Sequence, residues 1–565
     1  MKEQAKTGIS RRSFLTGAAA TGALAAAAGL MGCAPQQAAD GKTEAGNAGA
    51  AGAGEGGASS AAAGHTWDVK PDPIPESDIA GTTDVDVVVI GAGNAGVAAA
   101  CSAVEEGLKV TVIEKTETVN GRGGGVGACN SRLNKELGFE IEPIAAQYRW
   151  NRTCGNRNSE ALVTKWFKNS GPAMDWLLDK ADQYGATYTL YAGYSRSAIL
   201  PEEPDFHTFQ AGSFAIPQEA GYFVPTALLY QSCLDQGVEF LFGHTAEQLV
   251  QDESGKVTGV MVKAADGTYQ QFNASKGVVL ATGDIAGDQE MREAYLEPLF
   301  VDMRSDYMPQ GANTGDGHKM GMWAGGVMQD GPLPNALHPQ GGSMFHGPFM
   351  FVNKEDKRYF NEANWVQAKS IQTMKQTDHV GFSVFDKNFP TDNKDSLNYG
   401  GGMFWDTMSR SVTQEFDPAE ILATVEGEVE QGNTAWKADT LEELADLIGV
   451  DKENFLAEVE NYNKMCEAGE DTQFEKEPVF LYPIKEPPFY ATKVEAVILV
   501  CVGGLKVNTD LAVVKEDGTP IDGLFATGNT SGDLYAVDYP INMPGNSNGR
   551  CLTWGYLLGK TLAAR

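Results

Sequence analysis

The chain has 565 residues, which is enough for two or three domains with a substantial buried core. Acidic residues outnumber basic ones by 75 to 43, and the formal net charge of −32 argues against nucleic acid as a partner. The eight cysteines form no C-x-x-C pair, so neither an attached c-type haem nor an ordinary cluster-binding run is predicted, and no metal site is expected.

The first 33 residues predict a processing segment and not a part of the fold. Residues 10–15 (SRRSFL) resemble a twin-arginine export signal, and residues 30–33 (LMGC) resemble a bacterial lipobox that ends in Cys33. We expect export by the twin-arginine route and an extracytoplasmic protein that touches the cell membrane only through a lipid anchor. A cleaved signal with a chance cysteine is the alternative. Residues 34–80 predict a flexible Ala/Gly linker, because their first half contains almost no large apolar side chain.

Residues 84–115 have the full pattern of a dinucleotide-binding unit. A β-branched run leads into GAGNAG at residues 91–96, and an alanine-rich helical pattern and a second β-branched run follow. The first glycine permits a tight turn, the second allows the backbone to approach a pyrophosphate, and the third allows the helix to pack closely. Glu114 follows the second strand, where a carboxylate accepts hydrogen bonds from ribose hydroxyls.

A second β-rich region follows, and its last strand is apolar and ends in Ala-Thr-Gly, which is typical of a buried parallel strand that returns to a nucleotide site. The strands are predicted at residues 238–242, 257–262 and 277–283.

The chain changes character over residues 309–490, which are richer in Pro, Asn, Trp and Phe and include an amphipathic helix predicted at 441–463. Strand patterns resume at residues 505–507 and 523–528, and a helix is predicted from 547 to 563. This order predicts a nucleotide-binding domain that is built from both ends of the chain and interrupted by an inserted cap.

Several motifs occur in the order found in one flavoprotein family: the GAGNAG turn, Glu114-Lys115, the glycine run at 121–127, ATG at 281–283, NTGDG at 313–317, KRYFNE at 357–362 and VGG at 502–504. Over residues 84–563 the chain resembles the soluble fumarate reductase and ketosteroid dehydrogenase family. The resemblance implies an α/β fold: a Rossmann-like FAD-binding domain, non-covalent FAD and an inserted α+β capping domain. It implies an FAD-binding domain at 81–308 and 491–565, and a capping domain at 309–490.

The resemblance also implies which residues bind FAD. Residues of the GAGNAG turn would surround the pyrophosphate, the acidic residue and lysine would hold the adenosine ribose, and the last helix would direct its N–H groups at the flavin pyrimidine. The full implied set is Gly91, Gly93, Asn94, Ala95, Gly96, Glu114, Lys115, Arg122, Gly123, Gly124, Gly125, Ala246, Thr282, Gly283, Asp316, Gly528, Asn529, Ser547 and Asn548.

The substrate-handling side chains of the fumarate reductases are mostly absent. His338 keeps the histidine of their His-Pro pair. Their proton-donating arginine falls at Val366 or Gln367, their second histidine at Val500, and their clamping arginine near Asn542. Without these cations a dicarboxylate would be left unpaired in a dry site, so a C4 dicarboxylate is disfavoured.

Four residues are catalytic candidates by the resemblance: His338, Tyr535, Tyr539 and Arg550. Ketosteroid dehydrogenases place a catalytic tyrosine before the final helix, and spacing alone does not choose between Tyr535 and Tyr539. Arg550 would bind a single carboxylate or phenolate, or else pair with local carboxylates.

We therefore expect an FAD-dependent oxidoreductase acting on CH–CH groups. It would reduce a C=C bond conjugated to a carbonyl, in an enoate or enone and not in fumarate, with hydride from flavin N5. The alternatives are a ketosteroid-type dehydrogenase in the oxidative direction, fumarate reductase proper, and a flavoprotein that senses a ligand or carries electrons without turnover. The expected partners are a small unsaturated carbonyl substrate and a separate membrane or extracytoplasmic electron donor.

Overall fold

The computed structural model describes residues 64–400 and 411–565. The predicted export signal, the lipidated Cys33 and the linker up to residue 63 lie outside the described residues. The chain divides after residue 69, and residues 64–69 contain one 3-10 turn, Thr66–Asp68. Among the described residues, no helix combines the length and apolar character needed to cross a bilayer.

The larger unit, residues 70–565, contains seventeen strands and thirteen α-helices in its described part. The strands are β1 (Ile79–Ile90), β2 (Val110–Ile113), β3 (Val126–Gly127), β4 (Thr187–Leu190), β5 (Phe206–Gln210), β6 (Glu239–Leu241), β7 (Thr245–Gln251), β8 (Val257–Lys263), β9 (Tyr269–Leu280), β10 (Asn335–His338), β11 (Met350–Asn353), β12 (Val380–Asp386), β13 (Ala435–Ala438), β14 (Phe489–Glu495), β15 (Val497–Cys501), β16 (Ala512–Val514) and β17 (Pro520–Ala526). The helices are α1 (Asn94–Glu105), α2 (Arg132–Leu137), α3 (Pro143–Thr153), α4 (Glu160–Tyr184), α5 (Val224–Asp235), α6 (Gln289–Tyr295), α7 (Asp316–Trp323), α8 (Val366–Met374), α9 (Phe389–Ser396), α10 (Pro418–Gln431), α11 (Leu441–Ile448), α12 (Lys452–Ala468) and α13 (Asn546–Ala563).

The central sheet has the strand order β16-β17-β9-β1-β2-β6, with β8 paired to β9 and β7 to β8. Its middle strand, β1, runs parallel to both β2 and β9, and Ile90 is in register with Ile113 and with Leu280. The apolar run at the end of β1 is fully buried, as expected for a parallel strand that is covered on both faces. Three strands therefore end at the same edge of the sheet, where nucleotides bind in open α/β folds.

The first and last α-helices of the larger unit, α1 and α13, pack against each other. A Cβ atom at Gly555 would lie 2.5 Å from the Cβ atom of Ala98, and one at Gly559 would lie 2.3 Å from Oγ of Ser102. These glycines permit the close approach of the two helices. The predicted fold, a Rossmann-like α/β domain assembled from both ends of the chain, is confirmed.

The inserted region contains a four-stranded antiparallel sheet with the order β11-β12-β14-β13. The helix predicted at 441–463 is wrong, because the chain forms α11 and α12 instead. Gly449, with φ of 73°, ends α11, and Asp451 begins α12 by accepting a 3.0 Å hydrogen bond from the Asn454 N–H. The predicted domain boundaries at residues 80 and 490 each fall within a strand, β1 and β14.

A buried group of charges anchors the inserted region. The Arg358 guanidinium contacts Oε2 of Glu362 at 2.8 Å and Oδ2 of Asp471 at 2.9 Å, and all three side chains are fully buried. Lys476 lies 3.3 Å from the same oxygen of Glu362. Burial alone would raise the pKa of Asp471, but the hydrogen bonds from Arg358 outweigh it and lower that pKa to about 2.

Candidate active site

A cleft of about 970 Å³, part of it open to solvent, lies where β1, β2 and β9 end. Gly91, Glu114 and Ala281 each follow one of these strands and line it. The implied FAD-binding residues that line the cleft are Gly91, Gly93, Asn94, Ala95, Glu114, Lys115, Arg122, Ala246, Thr282, Gly283, Asp316, Gly528, Asn529, Ser547 and Asn548. In the described part of the chain, Gly96, Gly123, Gly124 and Gly125 lie outside this lining.

The GAGNAG turn forms a cradle that only glycine permits. Gly91 has φ of +106°, and a Cβ atom there would lie 2.3 Å from the Ala281 carbonyl oxygen. A Cβ atom at Gly96 would lie 1.9 Å from the Gly91 oxygen, which explains how Gly96 acts without lining the cleft. Gly93 precedes the first residue of α1, so free N–H groups and the positive end of that helix face the cleft. This arrangement fits a bound pyrophosphate.

Glu114 and Lys115 are held by neighbours at the ribose end of the cleft. Oε2 of Glu114 accepts a hydrogen bond from the Ala92 N–H at 2.8 Å, and Oε1 accepts one from the Thr116 N–H at 2.8 Å. Oε1 also accepts from the Thr116 hydroxyl at 2.8 Å, so Oε2 is the oxygen that retains a lone pair for a ribose hydroxyl. Nζ of Lys115 pairs with Oδ2 of Asp316 at 2.7 Å, so these two predicted residues contact each other across the cleft.

The glycine loop after residue 120 is fixed by amide side chains. Nδ2 of Asn94 donates to Oδ1 of Asn548 at 2.9 Å, and Nδ2 of Asn548 donates to the Gly125 carbonyl at 2.9 Å. A Cβ atom at Gly123, whose φ is +140°, would lie 2.2 Å from Nδ2 of Asn548. Gly123 and Gly125 therefore position the loop against α1 and α13.

Tyr535 and Arg550 lie in the protein interior and do not line the cleft in the described structure. The Tyr535 hydroxyl donates to the Asn546 carbonyl at 3.2 Å, and its ring stacks on Trp150 with centroids 5.4 Å apart. The Arg550 guanidinium lies 4.7 Å above the Tyr535 ring and donates to the Val502 carbonyl at 2.8 Å. Both are fully buried and support the loop before α13.

The other two catalytic candidates, Tyr539 and His338, are likewise not among the lining residues of the cleft. The Tyr539 hydroxyl accepts a 3.0 Å hydrogen bond from the N–H of Ser547, which does line the cleft. His338 ends β10. Burial, and then the charge of Arg122, lower the pKa of His338 to about 3, so its imidazole is neutral at physiological pH.

The sequence pattern does not identify Tyr307, and it gives Gln367 only as a residue at the place of an absent arginine. Tyr307 lines the cleft, and a Cβ atom at Gly283 would lie only 2.6 Å from its hydroxyl oxygen. Oε1 of Gln367 accepts from the Leu337 N–H at 2.5 Å, and its Nε2 donates to Oδ1 of Asp538 at 2.6 Å. Tyr307 lies in no recognisable sequence motif, and its contact with Gly283, whose φ is positive, arises only in the folded chain.

Residues 86–547 match a protein family described as the FAD binding domain. A vinyl phenol reductase of Lactiplantibacillus plantarum is 25% identical over 497 residues, covering 84% of this chain and 94% of the relative. A urocanate reductase of Eggerthella lenta is 29% identical over 493 residues, covering 82% and 73%.

The fold is similar to that of a solved structure, 3-ketosteroid-Δ4-(5α)-dehydrogenase from Rhodococcus jostii. The TM-score is 0.65 at 22% identity, covering 86% of this chain and 97% of that one. These matches confirm both the expected flavoprotein resemblance and FAD as the cofactor. The chain belongs to the FAD-binding-domain family of flavin-dependent oxidoreductases.

Proposed function

We propose that this protein reduces a carbon–carbon double bond that is conjugated to a carbonyl or an equivalent oxygen-bearing group. The observation that carries the proposal is a cleft whose lining fits FAD. Of the substrate-binding side chains of the fumarate reductases, the chain keeps one histidine, His338, and lacks the others. The relatives named for vinyl phenol and urocanate reduction support this class of reaction.

When bound, non-covalently, FAD supplies the hydride for this reduction. The residues of the chain supply charge stabilisation and orientation. Ser547 and Asn548 place the first turn of α13 at the cleft, so its N–H groups and positive end favour negative charge there. A neutral His338 donates a hydrogen bond from one ring nitrogen and accepts one at the other, which orients an oxygen-bearing substrate without adding charge.

Fumarate is a poor fit to this substrate side. Val500 lines the cleft at the place of the second substrate histidine, and Val366 is buried at the start of α8. Asn542 is fully buried, with Nδ2 donating to the Ala146 carbonyl at 3.3 Å. A second carboxylate would lack a cation at these three positions, and an unpaired buried charge costs about 3–5 kcal/mol.

Anaerobic flavin reoxidation tests the proposal. Photoreduced protein is mixed with a cinnamate, a vinyl phenol, urocanate, an enone, acrylate or fumarate, and the return of oxidised-flavin absorbance is followed. We expect at least one of the first five to reoxidise the flavin much faster than fumarate does. Fastest reoxidation by fumarate, or by none of the panel, contradicts the proposal. Rapid bleaching of oxidised protein by saturated ketones favours a dehydrogenase instead.

We further propose a lipid-anchored, extracytoplasmic location and a separate membrane or extracytoplasmic electron donor. The motifs at residues 10–15 and 30–33 support the location. Fatty-acid labelling of the wild type and of a Cys33→Ala variant tests it. Equal labelling of both forms would exclude the anchor.

A further inference from the structure

The geometry points to Arg122 as the catalytic residue that binds the substrate's oxygen and stabilises the negative charge that develops on it. This inference rests on the proposed function. It revises the role that the family resemblance implies for Arg122, which is cofactor binding alone.

The backbone of Arg122 is fixed on both sides. Its N–H donates to Oδ1 of Asn94 at 3.2 Å, and its carbonyl accepts from Nδ2 of Asn94 at 2.8 Å. Because Asn94 is the first residue of α1, these two hydrogen bonds tie the backbone of Arg122 to the start of that helix. Arg122 therefore projects from a fixed point of the cleft wall.

The Arg122 guanidinium is linked through Asp306 to strand β15, which leads to Val500, the position of a substrate-binding histidine in the fumarate reductases. Nη1 donates to the Asp306 carbonyl at 2.6 Å, and the Asp306 N–H in turn donates to the Ile498 carbonyl at 3.0 Å. Ile498 lies on β15, two residues before Val500 in the cleft lining. β15 pairs with β10, which ends in His338, and the Arg122 charge acts on that histidine.

Arg122 keeps its charge available. Of the described residues that line the cleft, Lys115 also carries a full positive charge, but it is paired with Asp316. No carboxylate of the described residues lies within 4.0 Å of the Arg122 guanidinium. Its charge acts at longer range on Asp284 and Asp306, and the Asp306 carboxylate is paired with Arg304 at 3.2 Å. A cation without a carboxylate partner, beside a neutral histidine, fits a substrate with a single oxygen-bearing group.

The chemistry needs such a group. When hydride from reduced FAD forms the new C–H bond at the β-carbon, the electron pair of the double bond moves toward the carbonyl carbon and negative charge collects on the oxygen. Guanidinium N–H groups donate to that oxygen and stabilise it. The α-carbon would take its proton from water, which is left as hydroxide, and the two electrons of the reduction would come from reduced FAD, so that the product is the saturated compound.

The test compares Arg122→Gln and Arg122→Lys with Arg565→Gln, a control that removes a paired arginine outside the cleft lining. FAD content and flavin reoxidation by the fastest compound of the panel are measured for each. We expect Arg122→Gln to retain FAD and to lose about 10² to 10³-fold in kcat/KM, with partial activity in Arg122→Lys and nearly full activity in Arg565→Gln. Loss of FAD from Arg122→Gln, or unchanged kcat/KM, overturns the inference.

A second measurement separates this inference from the proposed function. 3-Phenylpropionate and cyclohexanone keep the oxygen but lack the double bond, so their binding to oxidised protein is read from the flavin spectrum without turnover. We expect one of them to perturb the wild-type spectrum and to bind at least tenfold more weakly to Arg122→Gln. Equal binding, or no perturbation of the wild type, contradicts the role of Arg122 even if the panel is reduced. Failure of the whole panel with the expected binding difference contradicts only the proposed reaction.

Discussion

Gln367 and Asp538 join the inserted region to the loop that precedes α13, through a 2.6 Å hydrogen bond from Nε2 to Oδ1. The same amide nitrogen donates to the Asn335 carbonyl at 3.0 Å, and its oxygen accepts from the N–H of Leu337, next to His338. One buried side chain thus holds a helix of the inserted region, the strand that carries His338 and the loop between Tyr535 and Tyr539. The chain has a structural amide near the position where fumarate reductases have their proton-donating arginine.

Replacing Gln367 with leucine should loosen all three elements. The change leaves the half-buried Asp538 carboxylate and the buried Leu337 N–H without this partner, which should lower the free energy of unfolding by about 1–3 kcal/mol per unsatisfied group. Urea denaturation measures the loss, and KM for the best substrate should rise. Gln372→Leu on the same helix is the control. An equal effect of both substitutions would show that Gln367 has no special role.

Replacing Arg358 with methionine should destabilise the inserted region severely. Asp471 would remain buried without its cation and Glu362 would keep only Lys476, at a cost of about 3–5 kcal/mol. Calorimetry or chemical denaturation checks the prediction. Lys464→Met breaks an exposed ion pair with Glu460 and should leave the unfolding transition unchanged. A small effect of Arg358→Met would mean that the buried carboxylates become protonated at little cost.

Asp205 should make stability depend on pH. Its carboxyl is fully buried, neither oxygen has a hydrogen-bond partner in the described structure, and burial followed by the nearby Glu202 raises its pKa well above the ordinary value. The folded state therefore holds this proton more tightly than the unfolded state. The contribution to stability is full below about pH 4 and is lost as pH rises toward the folded pKa.

Asp205→Asn removes this dependence. The stability of the variant relative to the wild type should therefore be higher at pH 8 than at pH 4. Glu202 and Tyr539 also act on this carboxyl and remain in both proteins. Thermal unfolding at both pH values, with exposed Asp439→Asn as control, measures the difference. The same offset between Asp205→Asn and wild type at both pH values would contradict a neutral Asp205.

Gly96→Ala should abolish FAD binding, because the added Cβ atom would lie 1.9 Å from the Gly91 carbonyl oxygen and would displace the turn from α1. FAD content after purification and circular dichroism report the cofactor and the fold separately. Gly427→Ala, in α10, meets no atom within 4 Å and should stabilise the protein by up to about 1 kcal/mol. Full FAD content in Gly96→Ala would show that the turn tolerates displacement.

The sequence was sufficient for the nucleotide-binding unit because its pattern is local. The strand, the GAGNAG turn and the helix α1 are adjacent in the chain, and most residues implied for FAD line the cleft. Tyr535 and Arg550 were less predictable, since spacing cannot say whether a loop tyrosine turns inward. Its direction is set by Trp150, on α3 in a distant part of the chain.

The division of α11 from α12 has a similar explanation. The apolar period continues across Gly449, so periodicity favours one helix, and the left-handed conformation of a single glycine decides otherwise. The position of Tyr307 in the cleft could not be predicted, because it depends on the path of the loop before α7 and no local sequence pattern indicates it.

The contact between α1 and α13 has a consequence for biosynthesis. Residues 79–113 leave the ribosome long before residues 546–563 exist, and during that interval the small-residue face of α1 lacks its final covering. The flavin pocket cannot mature until translation of α13 is complete. Insertion of the vitamin-derived cofactor is therefore a late, post-translational event, and nascent chains that stall before α13 should emerge colourless and vulnerable to proteases.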